Sequence, residues 1–384
     1  MRRLSSRSLS SVAALLFPFS ILFAGNDILT EILKSEATVT SFDPTLRIGI
    51  VQNVAELKVE GDAQLLSVDG RELGAIQGEC RIAPAAGGKI AVCGTGYPGP
   101  SITFAPKFSF MSVGGRMFRG KVEIVISGKR LTAVNALHIE EYVRGVINKE
   151  IMPGWHIEAK KAQAVLARTY AVHKKVMRPR TALYDLDPTV LDQVYGGLDK
   201  EDLTANKAVA ETRGEILSYN DLPAEIYFHS TCGGRTASGK KVWGKEVPYL
   251  VPVKCDHCKN SSLYRWTRAL NADEVSKKLA AAGYAVGKLK KVAVEKGDLR
   301  VAAVIVNGKR IEVNQFRKAV GFTTVYSNDF TVTLSGGKLT FTGKGFGHGV
   351  GACQYGMAGM AQAGKNWREI LTHYLPGAEI RKMY

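Results

Sequence analysis

The sequence predicts an α+β fold of several subdomains with a β-rich N-terminal module, and three observations carry that prediction. Residues 46–126 alternate apolar and polar positions in short runs such as LRIGIV, ELKVEG, QLLSVDG and KVEIVI, with Gly and Asp between them, the pattern of half-buried strands joined by tight turns. Residues 131–217 are richer in helix formers. Residues 288–342 return to hairpin patterning around VNGKR and LSGGKLTF. With 384 residues and 45% hydrophobic content, the chain is long enough to bury two or three cores, and no repeat or low-complexity stretch interrupts it.

Each segment has its own justification. Arg2, Arg3 and Arg7 precede an apolar run at residues 12–24, which suits a signal-peptide core and falls short of the roughly 20 residues of a membrane span. Residues 1–25 therefore read as a signal peptide cleaved near residue 24 or 25, with an uncleaved anchor as the alternative, and no cysteine follows closely enough for a lipid anchor. Export to the periplasm or cell envelope is the expectation. Residues 44–127 form the β-rich module. Residues 138–236 form a mainly helical part, in which 156–177 predicts a helix because Glu158, Ala159, Ala162, Ala164, Leu166 and Ala167 favour one and no Gly or Pro interrupts until Pro179. Within it, AEIYFHS at 224–230 is strand-like. Residues 237–384 form a β-rich part holding the GFGHGVG block, closed by a helix over 367–374.

The charge balance narrows the partners. Fifty-two Lys and Arg against 35 Asp and Glu give a net charge of +17, which favours an anionic polymer. Nucleic acid fits the number but not the export signal, so cell-wall glycan carboxylates or acidic lipid surfaces fit better.

The chemistry concentrates around Glu150. Ile151, Met152, Pro153, Gly154 and Trp155 follow it, so the reading is a bent, apolar loop. A carboxyl packed there is partly desolvated, which raises its pKa and suits it to general-acid work. An ordinary surface Glu is the bland alternative. Lys161 and Arg168 lie seven residues apart, about two turns of the expected helix, and so share a face that can address one groove or simply meet solvent. Six cysteines in an exported chain suggest disulfides first, and Cys80 with Cys93 is the expected pair. The CDHC run at Cys255 and Cys258 reads as a metal knuckle or a redox pair, and His229 lies three residues before Cys232. Structural zinc held by Cys232, Cys255, Cys258 and His229 is the favoured reading, with His257 or Cys353 as other fourth ligands and a Cys255–Cys258 disulfide as the competing one. In the glycine-rich block, alternate glycines let backbone approach a ligand, with His348, Gln354 and Tyr355 as candidate substrate contacts. Such a block also serves as a plain sheet bend.

Three blocks together carry a family resemblance. The run 142–170, FHSTCGGRT at 228–236 with VWG and PYL after it, and GFGHGVGACQYGM at 345–357 resemble the SpoIID/LytB family, named for the stage II sporulation protein D, a peptidoglycan lytic transglycosylase. The likeness spans residues 131–384 and implies a SpoIID-like catalytic domain there. It implies Glu150 as the single catalytic acid and base, and Lys161 and Arg168 as the basic residues of an active-site helix. It further implies cleavage between N-acetylmuramic acid and N-acetylglucosamine in peptide-stripped strands, leaving 1,6-anhydro ends, with Lys161 and Arg168 pairing the lactyl carboxylate. Some family members carry a metal near the CDHC segment. Gln193 and Tyr195 in DQVYGG also match the family pattern, and either line the groove or close a turn.

Two other readings remain open at this level. The LytB branch suggests a noncatalytic peptidoglycan-binding modifier of an autolysin or cell-wall amidase. A zinc hydrolase requires an open site, which a thiolate-rich set fits poorly, and no HExxH pair is present.

Overall fold

The computed structural model of the protein describes residues 42–179 and 181–384, and the expected signal peptide lies outside them. Among the described residues no helix is long and apolar enough to cross a membrane. The architecture is α+β, as expected.

The N-terminal module consists of two six-stranded antiparallel sheets. One runs in the order Thr45–Val54, Arg130–His138, Lys121–Ser127, Ser101–Pro106, Ala63–Leu66, Glu72–Ile76; the other runs Arg116–Arg119, Phe110–Val113, Leu57–Glu60, Glu79–Ala85, Lys89–Val92, Thr95–Tyr97. Period-two burial explains them: in Leu57–Glu60, Leu57 and Val59 are buried while Lys58 and Glu60 face water. The expected Cys80–Cys93 disulfide is present and ties the edge of one strand to the turn after the next.

The strand Arg130–His138 feeds directly into helix α1 (Ile139–Glu150), whose first turn is capped by the His138 ring accepting the Glu140 N–H. Ile139, Tyr142, Val143, Val146 and Ile147 make its buried stripe at helical spacing. Helix α2 (Ile157–Met177) follows, one residue shorter than expected because His156 is its N-cap. It is the central element of the second half, with Ala159, Ala162, Val165 and Leu166 in a core shared with the cysteines and the C-terminal helices. Helix α3 (Leu203–Glu211) and helix α4 (Gly239–Trp243) follow in the chain.

Residues 265–344 build a separate core from two three-stranded sheets, helix α5 (Ala272–Ala281) and helix α6 (Val313–Val320). Its hairpins turn where the sequence signals them. Asn307 and Gly308 both adopt positive φ, 49° and 84°, as a two-residue turn of primed type requires. The chain then returns to the first core through helix α7 (Gln354–Gln362) and helix α8 (Trp367–Tyr374), and its final strand, Glu379–Lys382, pairs with Glu215–Tyr219. The segment 237–384 thus contributes to both cores, and it carries five helices among its strands.

Candidate active site and cysteine cluster

Glu150 is the last residue of α1 rather than part of the loop beyond it, which corrects the sequence reading. The Ile151 N–H still bonds to Ile147 O, so the helix holds through Glu150, and Pro153 forces the chain out of helix only afterwards. The carboxyl sits at the negative end of the helix dipole. Burial pushes its pKa above the usual Glu value, against one opposing contact in which Oε1 accepts the Val194 N–H at 2.9 Å. With Oε1 occupied as an acceptor, Oε2 is the oxygen free to carry a proton.

The segment supplying Val194 lies over α1. Gly196 N–H bonds to Gly145 O, and a side chain at Gly145 would meet the Tyr195 ring at 2.6 Å, so the close approach needs glycine there. Tyr195 is buried against Tyr142, with ring centroids 5.1 Å apart, and its hydroxyl donates to Asn135 Oδ1 at 3.0 Å. Gln193 accepts from the Tyr142 hydroxyl at 3.3 Å, while its own amide nitrogen is buried without a partner. The DQVYGG segment therefore both closes a turn and supplies the contact to Glu150.

The loop after Glu150 is pinned to the glycine-rich block. Trp155 meets Tyr355 edge-on at 5.1 Å, and the Tyr355 hydroxyl lies 3.8 Å from Met152 Sδ. Tyr355 is held in turn by its N–H bonding to Ser230 O, and Gln354 is buried with its amide 3.5 Å from Gln163 Oε1. His348 has neither ring nitrogen free: Nδ1 accepts the Val350 N–H and Nε2 faces Phe228 O, each at 3.1 Å. Burial, outweighing that carbonyl and aided by Arg317 and Arg300, lowers its pKa to about 4, so the ring is neutral at neutral pH. The expected polar substrate contact through His348 is therefore corrected to a backbone clamp whose ring face remains beside Trp243, 5.0 Å away.

The two expected groove cations are both paired with carboxylates of the protein. Arg168 is fully buried and forms a bidentate pair with Glu140, at 2.9 and 2.7 Å, with Glu215 O as a further acceptor. Lys161 is held between Glu158 and Glu211, at 2.7 and 2.8 Å. The shared face is real, but it packs toward α1 and α3 rather than an open groove, which overturns Arg168 as a substrate contact and leaves Lys161 already neutralised. The Glu140–Arg168 pair, 28 residues apart in sequence, was beyond sequence reasoning because no local spacing announces it.

The metal set is also corrected. Cys232, Cys255, Cys258 and Cys353 are all buried and unoxidised, with their sulfur atoms within 4.8 Å of one another. Four thiolates about 2.3 Å from a tetrahedral zinc lie about 3.8 Å apart, so this set fits a closed structural site. His229 lies outside this group of four mutually close ligand atoms, and His257 is exposed; Cys353 completes the set. Mutual hydrogen bonding lowers the pKa of Cys255 and Cys258 and raises that of Cys232, while burial raises Cys353. The cluster joins the segment after strand Phe228–His229, the 255–258 loop and the start of α7, and the Tyr374 hydroxyl of α8 contacts Cys255 Sγ at 3.0 Å.

A family model described as Stage II sporulation protein matches residues 127–219, and a second, described as a domain of unknown function, matches 240–351. An uncharacterized protein of Brachyspira hyodysenteriae is 36% identical over 273 residues, covering 70% of this chain and 73% of that protein. Stage II sporulation protein D of Bacillus subtilis is 35% identical over 264 residues, covering 65% of this chain and 76% of the relative. The amidase enhancer of the same organism is 29% identical over 291 residues, covering 62% of this chain and 40% of that protein.

Proposed function

Because the chain belongs to the SpoIID/LytB family, that of stage II sporulation protein D, we propose that it is an exported peptidoglycan lytic transglycosylase acting on peptide-stripped glycan strands. One observation carries the reading: a single carboxyl, Glu150, with its pKa raised by burial and one oxygen free, beside a loop pinned by aromatic contacts. Ordinary glycosidases use two carboxylates. Here one suffices if the sugar supplies its own nucleophile.

The steps balance without water. Glu150 Oε2 gives its proton to the glycosidic oxygen as the bond from the muramic acid anomeric carbon to that oxygen breaks. The muramic acid C6 hydroxyl then bonds to the anomeric carbon and returns its proton to Glu150, leaving a 1,6-anhydro end. The Val194 N–H, bonded to Oε1, holds the carboxyl in one orientation through both steps. Tyr355 and Trp155 wall the approach beside the Met152 loop.

The cysteine cluster would hold zinc through Cys232, Cys255, Cys258 and Cys353, and the metal would supply a structural cross-link, not an activated water, because all four donors come from the protein. A second reading, a peptidoglycan-binding partner that modifies a cell-wall amidase, draws on the relative named amidase enhancer and on the net charge of +17.

The test compares the parent with Glu150→Gln on peptide-stripped peptidoglycan, scored by mass spectrometry of soluble products. Anhydro-ended products from the parent, reduced at least about 1000-fold in the variant as expected for loss of an essential acid and base, support the enzyme. Binding by both proteins with no release by either favours the amidase modifier.

A further inference from the structure

A cleft of about 1430 Å³ lies between α4, the hairpin at residues 296–302, and α6, and neither Glu150 nor Tyr355 is among its walls. That exceeds the roughly 300–1,000 Å³ of an ordinary small-ligand pocket, so it has room for more than one sugar ring. Its walls carry five cations, Lys240, Lys241, Lys296, Arg300 and Arg317, against two carboxylates, Asp298 and Glu312.

Two features make it more than a charged dent. The first is a pair of arginines, Arg317 buried and Arg300 partly exposed, that lack an ion-pair partner among the described residues. Arg317, 3% exposed, donates Nε to Val325 O at 2.9 Å and one Nη to Tyr326 O at 2.7 Å, leaving its other amino group without a protein acceptor. Arg300 donates only to Cys232 O, Arg235 O and Asn328 Oδ1. Asp329 draws on Arg300 from farther off, and Lys241 is matched by Asp298 at 2.8 Å. A buried cation such as Arg317, met by two carbonyl oxygens and the Phe322 ring 5.0 Å away but by no carboxylate, leaves an attractive well for an anion. Burial and the neighbouring Arg300 pull Arg317 down to about 10, as that imbalance requires.

The second is an apolar rim. Trp243 and Phe322 line the cleft at 42% and 49% exposure. Trp243 is propped against Tyr227 and His348, at 4.5 and 5.0 Å between centroids, so its ring is held in place although exposed. A fixed aromatic face in the same cleft as a buried guanidinium suits a ligand with an apolar ring face and an anionic substituent.

We propose that this cleft is a second glycan site, which takes an acidic sugar with its ring on Trp243 and its carboxylate against Arg317, holding the strand apart from the reacting bond. The proposal rests on the reading of the chain as a glycan-acting protein but not on turnover at Glu150. Calorimetric titration in the Glu150→Gln background separates the two, with peptide-free muramyl tetrasaccharide as the acidic probe, chitotetraose as the neutral one and a glycerol phosphate oligomer as the phosphate-bearing one. Trp243→Ala and Arg317→Gln should each weaken muramyl binding at least about tenfold, and chitotetraose should bind at least about tenfold more weakly than the muramyl probe. Because Arg317 is buried, its variant is checked by thermal melting; Trp243, being exposed, carries the test if that variant misfolds.

Unchanged muramyl affinity in Trp243→Ala overturns the proposal, and if the parent still releases anhydro products the catalytic reading stands alone. Dependence on Trp243 and Arg317 without any anhydro release sustains the cleft and removes the catalytic reading. Equal chitotetraose binding, or tighter binding of the glycerol phosphate oligomer, overturns the carboxylate assignment.

Discussion

Arg168 illustrates how far a single residue can be read from sequence. Its spacing from Lys161 correctly placed the two on one face, yet the face is interior, because Glu140 in the first turn of α1 supplies a carboxylate that claims the guanidinium. That makes Arg168 a positioning residue that ties α2 to α1, the helix that ends in Glu150. Replacing Arg168 with Ala should cost about 3–5 kcal/mol of unfolding free energy, because Glu140 is left charged and buried, measurable by urea denaturation. The pair also sets a pH limb. Burial alone pushes Glu140 up, but Arg168, the Tyr384 hydroxyl and the Gly214 N–H more than offset it and hold its pKa below the usual 4.5. A folded-state pKa below the unfolded one contributes stability above about pH 4.5 that is lost as pH falls through the lower value. The parent should therefore destabilise on acidification below about pH 4.5 more steeply than Glu140→Gln, as read from melting temperature against pH; parallel curves contradict the role given to the pair.

At the scale of elements, helices and turns were legible where a local rule decides them. The α2 span followed from uninterrupted helix formers, and the Asn307–Gly308 turn from its dipeptide. What escaped is non-local. That Cys353 rather than His229 joins Cys232, Cys255 and Cys258 depends on the parallel pairing of Phe228–His229 with Ala352–Cys353, which brings residues 121 apart into contact. Glu150 was read with the loop because Pro153 rules out helix at the residue before it without saying how many residues earlier the last helical bond falls. Since the cysteine cluster fastens segments of the main core, metal content and stability should move together. About one zinc per chain is expected by elemental mass spectrometry, and chelation or Cys353→Ser should lower the melting temperature by on the order of 10 °C. A metal-free parent whose stability ignores Cys353→Ser contradicts a structural zinc.

Across the whole molecule, the α+β class and the β-rich N-terminal module were readable because period-two burial and turn residues repeat through residues 46–126. The two cores of the second half were not, because the chain leaves the first at about residue 265, builds the second, and returns through α7 and α8; hydrophobic pattern alone does not record which core a strand joins. That return brings the glycine-rich block and Tyr355 to the loop after Glu150, so the candidate site is assembled from residues about 200 apart. In the proposed reaction one carboxyl and the substrate's own hydroxyl do the chemistry with no water consumed. The most direct test digests peptide-stripped peptidoglycan in water enriched in oxygen-18 and reads the new ends by mass spectrometry. Anhydro-muramic ends carrying no label are expected; reducing ends that carry one oxygen-18 would show attack by water and rule the proposed reaction out.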